Sequence, residues 1–211
     1  MLLGLDVGGT FTDAVIIDGH RVVATAKRRT TKDNLMNGIG EALDAVLEGY
    51  DTSNIEQVTL STTVVTNTIV EEKEKVVDLY VVTGPGRNVD DIFPVKPIYL
   101  QGYTDHRGIV VERTPADAVH GIVNMVQTRS GNDLAAVSAK FGVRNPQEEL
   151  SITEELKNTY HTISNGSLLS GSLNFPRRTI SAYFNSAVTP VFTVFKKNVE
   201  DALSARNILA P

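Results

Sequence analysis

An α/β fold built on a mixed sheet is what this 211-residue chain predicts, on three observations. Its first ninety residues alternate strand-like and helix-like segments, the pattern of packed sheet and helix layers. Three apolar runs, residues 2–7, 11–17 and 21–26, are separated only by Gly8-Gly9 and Asp18-Gly19, which predicts an antiparallel meander for the first three strands. The apolar spacing then lengthens. Leu35, Ile39, Ala42, Leu43, Val46 and Leu47 fall on one face of a helix over residues 34–47, with Asp33 placed to cap it.

Residues 58–60 read as a short buried strand and residues 64–72 as a helix despite their β-branched content. Residues 76–82 form an apolar strand ended by Thr83-Gly84-Pro85-Gly86, and residues 87–97, with Pro94 and Pro97, predict an irregular excursion. Residues 98–103 and 109–113 flank Asp105-His106-Arg107-Gly108 as arms of a hairpin. A helix over 115–127 opens with Thr114 as N-cap and Pro115 at its first position. Residues 134–141 form a strand, Asn145-Pro146 opens a helix whose dipole Glu148 and Glu149 complement, and residues 161–164 add a last strand. After the loop-like stretch 165–176, residues 179–206 carry the longest helical pattern, through Tyr183, Ala187, Val191, Phe195, Val199 and Leu203, with a kink expected at Pro190. The expected organisation is a phosphate-binding core over 1–86, an insertion with hairpin and helix over 87–133, and a βα return with the long helix over 134–211.

Composition narrows the function. Apolar residues at 41% and charged ones at 21% fit a folded soluble domain and argue against disorder. The absence of cysteine excludes disulfides, thiolate metal sites and a cysteine nucleophile, and the four histidines, none closer than 14 residues to another, exclude a helical HxxxH ligand pair. A net charge of -5 with no basic stripe argues against a nucleic-acid surface. No apolar run has the length of a membrane span and no signal peptide opens the chain, so the default is a cytoplasmic enzyme or binding domain.

The chemistry concentrates in Asp6-Val7-Gly8-Gly9-Thr10-Phe11-Thr12-Asp13, a carboxylate at a strand end followed by a glycine turn. Glycines let backbone N–H groups approach a phosphate, and the hydroxyls of Thr10 and Thr12 can donate to its oxygens. Asp6 can hold Mg²⁺ directly or through its waters. The plain alternative is a Gly-Gly hairpin with an incidental aspartate and two β-favouring threonines. The turn opens a second strand instead of a helix and lacks the spacing of a dinucleotide or P-loop motif.

This octet resembles the phosphate-1 hairpin of the actin, sugar-kinase and heat-shock ATPase superfamily, with its ribonuclease-H-like fold, and specifically the start of the hydantoinase A and 5-oxoprolinase family. Leu60-Ser61-Thr62-Thr63-Val64-Val65-Thr66-Asn67 is similar to that family's HGTTxxTN segment, with Leu60 and Ser61 in place of its histidine and glycine. Phe141-Gly142-Val143-Arg144-Asn145-Pro146 with Glu149 resembles its FSxxNPxHE region, and 174–190 its arginine-to-NAxxxP stretch. Thr83-Gly84-Pro85-Gly86-Arg87 departs from the TxGFxDxLxIGRQ pattern.

The resemblance implies an ATP-dependent hydrolase that opens cyclic amides of the hydantoin or 5-oxoproline type by phosphorylating the amide oxygen. Gly8, Gly9, Thr10, Thr12, Asp13, Thr62, Thr63 and Asn67 are then the nucleotide-binding candidates, Asp6 and Thr10 the catalytic ones, and Asp6 the magnesium ligand. Asp13 could instead orient Thr10 or Thr12, approach the metal, or end a turn by accepting from backbone amides. The chain matches about the amino-terminal third of such proteins. It therefore implies a second lobe beyond Pro211, possible partnership with a hydantoinase B-type subunit, and little activity for residues 1–211 alone. A small-molecule kinase and a non-catalytic nucleotide-binding domain are the alternatives. The tetrad at Asp105 reads as a polar turn, Lys27-Arg28-Arg29 and residues 71–75 as solvated element ends, and Asp90-Asp91 as loop.

Overall fold

Alternation of buried and outward side chains sets the first two strands of the first sheet. The computed structural model describes residues 1–30, 35–86 and 90–209; the cap assigned to Asp33 and the part of the excursion at 87–89 lie outside the described residues. Leu3, Leu5 and Val7 are buried in β1 (Leu2–Val7), and Thr12, Ala14 and Ile16 in β2 (Phe11–Asp18). β3 (Arg21–Arg29) completes the antiparallel meander, running three residues beyond the expected end and including Lys27, Arg28 and Arg29. Its register with β2 shifts by one residue between Ile16 and Ile17, a bulge that leaves Val23 without a partner.

After α1 (Leu35–Leu47), β4 (Gln57–Thr62) lies parallel to β1, giving the mixed order β3-β2-β1-β4; α2 (Val64–Val70) follows. Ile39, Ala42, Leu43 and Val46 of α1, with Phe195, Val199 and Ala202 near the chain end, form one core with Leu3, Leu5 and Ile16. Each fully buried Val, Leu, Ile or Phe side chain among them contributes about 1.5–3 kcal/mol. The opposite phase of the strands, Gly4, Asp6, Asp13, Val15, Thr25, Lys27, Thr59 and Ser61, lines an open cavity.

This compact unit comprises Met1–Lys73 and Pro190–Pro211, and Glu74–Thr189 form a second. The division corrects the expected core of 1–86. Here β5 (Asp78–Val82) pairs with β6 (Ile98–Tyr99) and with β9 (Leu134–Ala139), so it belongs to another sheet. The expected hairpin shrinks to β7 (Tyr103–Thr104) against β8 (Val110–Glu112), because residues 98–99 are taken by β5. α3 (Ala116–Ser130) is capped by Pro115, not Thr114. Thr114 is held outside the helix by its N–H to Glu148 and its hydroxyl to Gln101 O.

β9 (Leu134–Ala139), α4 (Gln147–Leu156), β10 (Thr162–Asn165), α5 (Gly166–Leu169) and α6 (Phe175–Ser204) complete the chain. α5 interrupts the stretch expected as loop, α6 begins four residues early, and Pro190 stands inside a continuous helix. The parallel order is β10-β9-β5-β6. Every residue of β5 and β9 is buried, as a parallel sheet covered on both faces requires. Val119, Val123, Ile152 and Leu156 belong to one core of this unit, and Phe175, Ala182, Tyr183 and Ala187 to another.

Candidate functional site

The turn between β1 and β2 is closed by Gly8 N–H donating to Phe11 O at 2.9 Å and is tied to the end of β3 by Thr30 N–H donating to Thr10 O at 2.9 Å. Gly9 and Thr10 are exposed. Neither Gly8 nor Gly9 takes a positive φ, so position 9 is set by close approach: a Cβ there would stand 2.9 Å from Asn67 Nδ2. Turn and α2 thereby wall a cleft of ≈ 440 Å³ that includes Gly8, Gly9, Thr10 and Asn67.

Asp6 is exposed at the other phase of β1, opposite Asp13 on β2 and Ser61 on β4. Like charges facing each other across a pair of strands repel. Lys27 Nζ offsets this by donating to both carboxylate oxygens of Asp13, at 2.9 and 3.0 Å. The Asp6 carboxylate has no hydrogen-bond or ion-pair partner among the described residues. Asp6, Asp13, Lys27 and Ser61 line a second cavity of ≈ 470 Å³, which shares no residue with the cleft at the glycine turn. The structure thus brings Gly8, Gly9, Thr10 and Asn67 together, and separately Asp6 and Asp13.

Thr12 joins neither group. It is fully buried, in phase with Ala14 and Ile16, and its hydroxyl pairs with that of Thr30 at 3.0 Å, which corrects its expected place on a phosphate. Asp13 ends no turn; it sits mid-strand on Lys27. Thr62 donates to Val7 O at 2.9 Å and accepts from Val64 N–H at 3.1 Å, fastening β4 to β1 and starting α2. Exposed Thr63 accepts from Asn67 Nδ2 at 3.2 Å, which aims that amide.

Sequence reasoning missed three groups here. Lys27, exposed near the end of β3 as expected, is also the partner of Asp13. Glu71 and Lys73, expected as a solvated helix end, line the turn's cleft, and Lys73 pairs with Glu71 at 2.5 Å. The Asp105 tetrad is the expected polar turn: the N–H of Ile109 holds the Asp105 carboxyl below the usual carboxylate range against desolvation, with help from Arg107. Asp91 is exposed on a single helical turn.

No group of three His, Asp or Glu side chains suited to a metal occurs among the described residues. Mg²⁺ does not need one, since it commonly takes one or two carboxylates and completes its shell with water and phosphate. The unpaired Asp6 fits that donor set. No helix among the described residues is long and apolar enough to cross a membrane.

The class is a mixed α/β fold, a sheet of three antiparallel strands and one parallel strand whose first hairpin carries the glycine turn. Residues 2–160 match the family model described as the hydantoinase/oxoprolinase N-terminal region, and the chain belongs to that family. Solved structures that share its fold include two enzymes. One is a nucleotide-free acetone carboxylase, an enzyme of ATP-dependent acetone carboxylation, 16% identical with a TM-score of 0.75 over 97% of this chain. The other is an ATP-dependent caprolactamase from Pseudomonas jessenii, 19% identical with a TM-score of 0.72 over 99% of this chain. The chain spans 34% of the length of each. A search of curated protein sequences returns no match.

Proposed function

We propose that this chain supplies the phosphate-binding wall of an ATP-dependent hydrolase that opens cyclic amides. The observation that carries this is the unpaired, exposed carboxylate of Asp6 two residues before an exposed glycine turn whose backbone is bare at position 9. Family membership supports it, as does the ATP dependence named for the caprolactamase and the acetone carboxylase of the same fold. Resonance makes a cyclic amide resistant to water, and transfer of the terminal phosphoryl group of ATP to the amide oxygen makes its carbon open to attack. Such transfer relies on positioning and charge neutralisation.

In this assignment Gly8, Gly9 and Thr10 offer turn backbone and hydroxyl to the terminal phosphate, and Asn67 orders the turn from α2. Asp6 holds hydrated Mg²⁺, which supplies charge neutralisation. Asp13, engaged by Lys27, keeps the second charge next to Asp6 compensated. Thr12, Thr62 and Thr63 act as supports. The opposing wall of the nucleotide site, and a hydantoinase B-type subunit, would come from outside these residues.

Calorimetric titration with Mg-ATP tests the assignment on the full chain and on Asp6→Ala. A magnesium-dependent heat that weakens at least about tenfold in the variant is expected for loss of a charged contact. Equal heats would overturn the role of Asp6. With the complete enzyme, a phosphorylated substrate accumulating without ring-opened acid would replace the hydrolase by a kinase.

A further inference from the structure

The second unit carries a crevice at the carboxyl edge of its parallel sheet. From β5 the chain adds β6 on one side and later β9 on the other, so the strand order reverses between β5 and β9. In open parallel sheets, loops diverge at such a reversal and leave a ligand crevice beyond the strand ends. A cavity of ≈ 410 Å³ lies there, lined by residues 83–86 after β5, Lys140 and Phe141 after β9, and residues 173–176 at the start of α6.

Its walls are held in unusual conformations. Gly84, Gly86 and Phe141 have φ of +60°, +143° and +63°. For a bulky residue such as phenylalanine a left-handed conformation costs about 1–2 kcal/mol and persists only where its surroundings impose it. Here the Ala139 peptide is gripped from both sides by buried charges: its N–H donates to Glu149 Oε1 at 2.8 Å and its carbonyl accepts from Arg178 Nη2 at 3.0 Å. A Cβ on Gly142 would stand 2.5 Å from Glu149 Oε1, so the turn after β9 packs directly on this carboxylate.

The crevice is mostly apolar, with Thr83 and Asn174 as its neutral polar side chains and Lys140 as its one charged side chain. Phe141, Phe175, Leu173, Pro85 and Pro176 supply its apolar lining. Lys140 Nζ lies 5.6 Å from the Phe141 ring centroid and 3.4 Å from where a Cβ on Gly86 would stand, and it has no carboxylate partner among the described residues. An ammonium left unmatched against an apolar wall selects an anion with an apolar body.

We propose that this crevice binds a small apolar molecule bearing a single carboxylate, the anion meeting Lys140 and the apolar part lying against Phe141 and Phe175. The site belongs wholly to the second unit and uses none of the residues assigned to phosphate or magnesium. Phenylacetate and its neutral counterpart phenylacetamide are the matched probes, titrated into the full chain and followed by amide chemical shifts. Phenylacetate should bind about tenfold more tightly than phenylacetamide, the worth of one charge-assisted hydrogen bond. The shifts should centre on residues 83–86 and 140–142. Lys140→Gln should bring the two probes to equal affinity and Lys140→Arg should restore the preference. Phe141→Gly, which suits the positive φ and removes the ring, should weaken both probes. Failure of both probes to bind, equal binding of the two by the unaltered chain, or shifts centred elsewhere would overturn the proposal.

Discussion

Replacing Glu149 by alanine removes three contacts at once: Ala139 N–H at 2.8 Å, Ser167 N–H at 2.8 Å and Ser167 Oγ at 2.6 Å. The Ala139 amide is buried with no route to water, and each such orphaned donor costs about 1–3 kcal/mol. Arg178, fully buried, also loses the charge that opposes it, while burial already pulls its pKa down and Glu149 pulls it up. Breaking a buried charge arrangement from one side costs about 3–5 kcal/mol, and that is the expected loss. Urea unfolding followed by tyrosine fluorescence reads it selectively, because the chain has no tryptophan and Tyr80, Tyr99, Tyr103, Tyr160 and Tyr183 all lie in the second unit. With a slope of about 2 kcal/mol per molar, the midpoint should fall by about 2 M. Glu149→Gln, which keeps one acceptor oxygen, should lie between. A fall of less than about 0.5 M for the alanine variant would refute the brace on β9.

Gly9→Ala should fold, since no positive φ is lost, but its methyl displaces Asn67 from Thr63 at a cost of about 1 kcal/mol, read by thermal denaturation. Its Mg-ATP heat should nevertheless fall with the bare backbone; unchanged heat would remove the turn from the phosphate site. Lys27→Ala leaves Asp6 and Asp13 facing each other uncompensated, so Mg²⁺ alone should bind more tightly by calorimetry, and a weaker interaction would contradict the cluster's electrostatics. Tyr160 donates to Asp78 Oδ2 at 2.9 Å, so Tyr80 must donate to Tyr160 across 2.6 Å. Burial raises Tyr80 far above the ordinary range and pushes Tyr160 up to about 12. The pair's stabilisation is therefore complete below the unfolded value of about 10 and is lost as pH rises through the folded value. Absorbance at the tyrosinate band should show two phenols ionising only with unfolding, and a single step for all of them near pH 10 would contradict this.

Much of the first unit was legible because phase decides it. Leu3, Leu5 and Val7 being buried puts Asp6 outward, and the same rule buries Thr12 with Ala14 and Ile16, a consequence masked by the motif's run of hydroxyls. Membership of β5 was not legible: an all-apolar strand suits either sheet, and only pairing with β9, more than fifty residues away, decides. The role of Glu149 was hidden for a similar reason. A carboxylate in a helix's first turn already satisfies the dipole rule, whereas its partners Ala139 and Ser167 come from flanking elements that local pattern does not bring together. Counting back from the Asp18-Gly19 turn sets Ala26, not Lys27, across from Asp13 unless the bulge is known.

That unpaired valine has a further effect on how relatives of this protein should be compared. Insertion of one residue between Gly19 and Ala24, with the bulge kept, would move every later side chain of β3 to the other face of the sheet and place Ala26 beside Asp13. The charge balance around Asp6 would then change although Asp6, Asp13 and Lys27 were all conserved. An indel in a hairpin tip that looks neutral in an alignment is, at this position, an electrostatic mutation.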